Sequence, residues 1–230
     1  MVDKRTAQNR RYAERRQMPH EQATPPPGLP ERRAGQDRRH GLRRATDRLQ
    51  EELLTVLEGL VRDAPGVPRR RVLNQAVTHI GAYLAKEFRV SDDEVGILLL
   101  TEGGSLLRFV YPRELSLDKL SFFPVTAPSV AARVLRARRG HVYNRAPEVP
   151  HLHVYERIPL RTRFPRPIQK MIAVPLFLDE DRVLGVLEVS RKAESPEEAG
   201  PDFTEAEVLK LTDFGRLLAS HLERILPEDL

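Results

Sequence analysis

The chain has 230 residues, no cysteine and a formal net charge of +5 that is unevenly spread. Its first 50 residues hold 13 Lys/Arg against 6 Asp/Glu, so the remaining 180 carry a net −2 and the basic balance belongs to the N-terminal stretch. Without cysteine there are no disulfides, thiolate nucleophiles, cysteine zinc sites or thioether-linked chromophores, and no apolar run approaches the ~20 residues of a membrane helix.

Residues 1–45 carry the doublets Arg10-Arg11, Arg15-Arg16, Arg32-Arg33, Arg38-Arg39 and Arg43-Arg44. A proline-rich stretch, residues 24–30, lies among them. So few large apolar side chains cannot offset the entropy of ordering a chain, which predicts a disordered, Arg-rich tail when unbound. The first residues run into charge rather than an apolar stretch, so no signal peptide is expected and the chain reads as cytoplasmic.

From Thr46 the pattern changes. Leu49, Leu53, Val56, Leu57 and Leu60 recur at helical spacing, predicting a helical linker over 46–66 that ends at Pro65-Gly66. A second helix follows, with Leu73, Val77, Ile80 and Leu84 on one face. It begins at Arg69-Arg70-Arg71, which is unfavourable beside a helix N-terminus unless solvent or an anion relieves it. Two β-rich runs, 94–101 and 106–111, flank Gly103-Gly104 and predict a hairpin. Residues 128–138 read as a short helix and His141-Val142-Tyr143 as a short strand. Residues 145–167, with five prolines, read as a long loop. Residues 170–178 and 182–190 form a second hairpin around Asp179-Glu180-Asp181. Thr204 and Glu207 make a capping box for a last helix whose stripe is Val208, Leu211, Leu218, Leu222 and Ile225. Antiparallel hairpins with helices gathered on the sheet faces define an α+β fold.

Three stretches carry a resemblance to a known family. The first is the pair of runs 168–176 and 183–189, with Pro175 late in the former and Gly185 early in the latter. The others are the helix entry 203–207 and the mid-domain helix start 128–134. Together, from about Arg70 to Leu226, the chain resembles a GAF domain. That resemblance implies a six-stranded antiparallel sheet with the first and last helices on one face. It also implies a small-molecule pocket on the other face and a parallel dimer bundle made by the 46–62 and 208–225 helices. The domain boundaries are then a tail at 1–45, a linker at 46–66 and the GAF-like domain at 67–230.

The family's cyclic-nucleotide signature has an Asn-Lys pair, a Phe and an Asp-Glu pair. This chain keeps Lys192, Phe203 and Glu207 but has Arg191 and Val208 where Asn and the final Glu belong, which argues against cAMP or cGMP.

No G-x-S-x-G, H-E-x-x-H, Walker A or G-x-G-x-x-G motif is present, and no nucleophile–base pair suggests an enzyme. No cofactor is implied. His151 and His153 form an H-x-H that His141 or Glu156 could complete as a metal site, but polar loop residues are the plainer reading. The candidate ligand-binding residues are Ser129, Arg133, Tyr143, His153, Tyr155 and Glu188, with Asn144 and Arg161 in the same loop region. Glu188 interrupts an apolar strand, and a buried carboxylate needs partners, a ligand or an arginine such as Arg133. In the tail, Arg32, Arg33, Arg38, Arg39, Arg43 and Arg44 suit phosphate or guanine edges, as in cyclic di-GMP, or non-specific nucleic acid. The expectation is a bacterial-type, non-catalytic sensor module. It dimerises, takes a small ligand or nucleotide or docks a signalling protein, and touches no membrane.

Overall fold

The computed structural model describes residues 33–101, 103–116, 121–149, 166–228 and 230. The chain divides into a unit ending at Leu42 and a second, Arg43–Leu230, which holds the whole sheet. The described strands are β1 (Val95–Leu100), β2 (Leu106–Tyr111), β3 (Phe122–Pro124), β4 (His141–Tyr143), β5 (Ile168–Phe177) and β6 (Val183–Lys192). They form one antiparallel sheet in the order β3-β2-β1-β6-β5-β4. The described α-helices are α1 (Arg33–Arg62), α2 (Arg69–Phe88), α3 (Arg113–Ser116), α4 (Val130–Ala137) and α5 (Glu205–Ile225). No described helix is long and apolar enough to cross a membrane.

β5 and β6 are adjacent inner strands of the sheet, neither of them at an edge. Nine register partners join them, from Ile168↔Lys192 to Phe177↔Val183, and both strands are buried along most of their length. Burial on both faces is why these segments read as near-continuous apolar runs rather than an alternation. On one face lie α2 and α5, with Leu73, Ile80, Leu84, Leu211, Leu218 and Leu222 against Ile172, Val174, Leu187 and Val189. On the other, α4 covers Leu98, Met171, Ala173 and Val186 with Val130, Ala131 and Val134.

α5 starts at the capping box expected of Thr204 and Glu207: Glu207 N donates to Thr204 Oγ1, and Thr204 N donates to Glu207 Oε2. Gly103 and Gly104 sit at φ +81 and +68 in the first hairpin, a region open to glycine but strained for other residues.

Three features depart from the sequence reading. α1 begins at Arg33 rather than near Thr46. Its upstream turns lack an apolar stripe, so periodicity could not mark them, although Arg, Ala and Gln are good helix formers. Second, Leu53 and Leu57 of α1 are buried in the domain's own core, so that face is already occupied within the chain. Third, α3 and the edge strand β3 escape the pattern; three residues ending in proline carry no period to detect. Residues 1–32 and 150–165 lie outside the described residues.

Candidate functional site

β4 is three residues long, and its alternation decides what it presents. Val142 turns to the core beneath α2 and α5, whereas Tyr143 turns to the α4 side. His141, two residues from Tyr143, shares that side. The pairing register then carries a row across four strands: His141↔Ala173, Ala173↔Glu188 and Gly96↔Glu188. Paired residues point to the same face of a sheet. With strands ~4.8 Å apart, His141 and Glu188 therefore flank the single methyl of Ala173, and Gly96 adds no side chain beyond. Two titratable groups separated only by the smallest residues form a polar row in an otherwise apolar layer.

Glu188 is 5% exposed, as expected for a charge in a central strand. The His141 and Tyr143 rings lie 5.9 Å apart and nearly parallel. Arg133, reaching over from α4, places its guanidinium carbon 5.9 Å from the Tyr143 centroid. Tyr143 Oη and His141 Nε2 are buried and have no hydrogen-bond partner among the described residues. A buried polar atom left without a partner costs ~1–3 kcal/mol. The His141 pKa lies below its ordinary value, chiefly through burial and then through the charges of Arg139 and Arg133. The ring is therefore held neutral at pH 7, able to donate and accept one hydrogen bond each.

The expected site residues are only partly assembled. Arg133, Tyr143 and Glu188 lie on this one face. Ser129 serves elsewhere: it is the N-cap of α4, its Oγ accepting from Ala132 N. His153 and Tyr155, with His151, Glu156 and Arg161, lie outside the described residues. Arg33, Arg38, Arg39, Arg43 and Arg44 fall on α1, and Arg32 lies outside the description. Beyond the expected ligand residues, the register brings His141 onto this face beside Tyr143. No group of three or more metal-ligating side chains occurs among the described residues. The i, i+2 spacing in His-Val-Tyr was the signal for placing His141 beside Tyr143.

Below this face, β4 is tied to α5. Asn144 Nδ2 donates to Phe203 O and Phe203 N donates to Asn144 Oδ1, both at 2.9 Å. Arg191 lies over the Phe203 ring at 4.4 Å and faces Glu207 at 3.9 Å. Lys192 Nζ donates to Asp93 O, and its backbone N to Glu94 Oε1. The buried Lys170 ammonium donates to Gly200 O and pairs with Asp202 at 2.7 Å. Arg191, Lys192, Phe203 and Glu207 thus hold the end of β6 against the start of α5 and the 92–94 turn.

An antiparallel sheet of this order, with helices on both faces, defines a six-stranded α+β domain. The GAF-domain family model matches residues 70–223, and the chain belongs to the GAF family, whose members are generally regulatory and sensor modules. Its fold is similar to the GAF domain of a phosphoenolpyruvate-protein phosphotransferase from Acinetobacter, at 17% identity over 76% of this chain and 92% of that one, TM-score 0.50. The corresponding domain from Coxiella burnetii gives 14% identity, the same coverages and TM-score 0.52. A further GAF-domain structure gives 15% identity over 76% of this chain and 88% of that one, TM-score 0.51. Among curated proteins no sequence matches.

Proposed function

We propose that the chain is a non-catalytic, ligand-sensing GAF module of the cytoplasm that binds a small polar molecule on the face between β4–β6 and α4. The observation that carries this reading is the pair of buried, unpartnered atoms, Tyr143 Oη and His141 Nε2, in line with Glu188 across Ala173. A ligand that hydrogen-bonds both atoms satisfies them at once and gains the Arg133 charge beside them. Asn144 follows Tyr143 directly and grips the entry to α5, so movement of β4 reaches that helix through two hydrogen bonds. The lack of cysteine removes thiol chemistry and supports sensing over cysteine-based catalysis.

Output then passes to a second copy or another signalling protein. For a second copy, the surface that supports contact is the outer one: Val56 of α1 and Leu209 and Leu217 of α5 are 38%, 65% and 42% exposed. A thermal-shift screen of metabolites and nucleotides tests the sensing role, with Tyr143→Phe as the comparison. Ligands that raise the melting temperature of the native chain but not of Y143F support it; no stabilising ligand leaves a docking module.

The charge of the first 50 residues favours a second activity, retention of nucleic acid or a guanine dinucleotide by the tail. Deleting residues 1–45 abolishes salt-sensitive retention on this reading. Equal retention with and without them ends it.

A further inference from the structure

On the opposite side of the sheet from the polar row, a cleft of about 390 Å³ opens between the outer face of α2 and the corner where β2 turns into α3. Its α2 wall is Arg71, Asn74, Gln75, Thr78 and His79, the i, i+3, i+4, i+7 and i+8 positions of one helix stripe. Its other wall is Val110, Tyr111 and Arg113. A smaller cavity of about 70 Å³ adjoins it, sharing Asn74 and Val110 and adding Arg70 and Arg108. Four arginines therefore border the two adjoining cavities, and among the described residues no Asp or Glu side chain lines either.

Surface guanidiniums are ordinarily neutralised by nearby carboxylates, as elsewhere in this chain, where Arg182 pairs with Asp179 and Glu223. Here the guanidinium groups of Arg71 and Arg113 have no ion pair or hydrogen bond among the described residues, although Arg71 N donates to Pro68 O and Arg113 O accepts from Ser116 Oγ. The carboxylates nearest in effect, Asp92, Glu114 and Asp93, act at the Tyr111 hydroxyl, whose pKa burial and these charges push up to about 12. The floor is firm, because the Tyr111 ring rests directly on Gly81, where a Cβ would lie 2.3 Å from a ring carbon. The groove thus joins two guanidiniums without an ion pair among the described residues, a row of amide and hydroxyl groups, an imidazole and an apolar base, in a volume suited to a small molecule.

We infer that this groove is a second ligand site, for a small phosphate ester, with the phosphate on Arg71 and Arg113 and the remainder along Asn74, Gln75 and Thr78. Planar guanidiniums grip phosphate bidentately, and the helix stripe offers the polar groups that a sugar-like moiety requires. The site is separate from the sensing face and does not depend on it.

The test is a titration of the full chain with inorganic phosphate and ribose 5-phosphate at constant ionic strength. It is read by amide chemical shifts and calorimetry, with succinate as a second anion and Arg71→Gln/Arg113→Gln as the variant. Both substitutions are on exposed side chains, and matching melting temperatures verify that the variant is folded. The expected result is saturable binding of the phosphate compounds, shifts at residues 71–79 and 110–113, and at least a roughly tenfold loss in the double variant. Succinate binds more weakly, and Tyr143→Phe leaves the phosphate affinity unchanged. Non-saturable shifts, equal affinity in the double variant, shifts confined to the tail, or succinate binding as well as phosphate would each overturn the assignment.

Discussion

Gly185 is the position where the sheet tolerates least. It lies in β6 opposite Leu99 of β1 and Leu176 of β5. A Cβ there would stand 1.9 Å from Leu98 O and 2.9 Å from both Leu98 C and Leu99 Cα. All three atoms are backbone, so no side-chain rotation relieves the overlap. Restoring ordinary contact requires β1 to retreat from β6 by more than ~1 Å, at an interface whose hydrogen bonds tolerate only a few tenths of an ångström. Overpacking of this kind costs ~1–3 kcal/mol. Stretching two ladder hydrogen bonds adds ~1 kcal/mol each, which brings Gly185→Ala to about 3–5 kcal/mol. For a domain of this size that corresponds to a fall in Tm of roughly 6–20 °C. Gly59, in the last turns of α1, is the internal comparison: its nearest neighbour would be Arg62 Nη2 at 3.9 Å. Gly59→Ala should therefore stabilise by about 0.5–1 kcal/mol, since alanine is the better helix former. Urea unfolding followed by circular dichroism measures both. A Gly185→Ala loss below ~1 kcal/mol, within the ordinary range of surface substitutions, would refute the close β1–β6 approach.

Other outcomes follow from single contacts. Asn144→Ala removes both hydrogen bonds to Phe203. It should cost about 1–3 kcal/mol and raise amide exchange at residues 203–205; unchanged exchange there would mean that β4 and α5 are not coupled through this side chain. The depressed His141 pKa means that the unfolded chain takes up its proton first as pH falls through ~6.5. That residue therefore withdraws stability on acidification, and a native Tm should fall between pH 7.5 and pH 5.5 by more than that of His141→Gln. Equal falls would contradict a half-buried ring with a lowered pKa. Tyr83 and Tyr111 have pKa values raised to about 12, chiefly by burial. With no tryptophan in the chain, ultraviolet titration should show at least two tyrosines ionising well above the ordinary value near ~10.

The parts of the fold that the sequence made legible are those with a local signal. The β5–β6 hairpin is marked by apolar runs around an acidic turn, β1–β2 by Gly103-Gly104, and α5 by its capping box. β3 and α3 were not legible, because three or four residues hold no period. The start of α1 was hidden because its first turns are polar all round. At the site, Glu188 announced its burial as a charge in an apolar strand, and Tyr143 and Arg133 belong to one face as expected. Ser129 caps α4, its hydroxyl accepting from Ala132 N, a role that a serine before Val-Ala-Ala equally signals. The row from His141 to Glu188 depends on the register of β4 against β5, a long-range pairing that no local pattern encodes.

The sensing face is tested most directly by amide NMR of the full-length chain titrated with ligands from the thermal-shift screen. The account predicts saturable shifts at His141, Tyr143, Ala173 and Glu188, extending through Asn144 to Phe203 and the first turn of α5. Saturable binding that leaves these residues unmoved would contradict it.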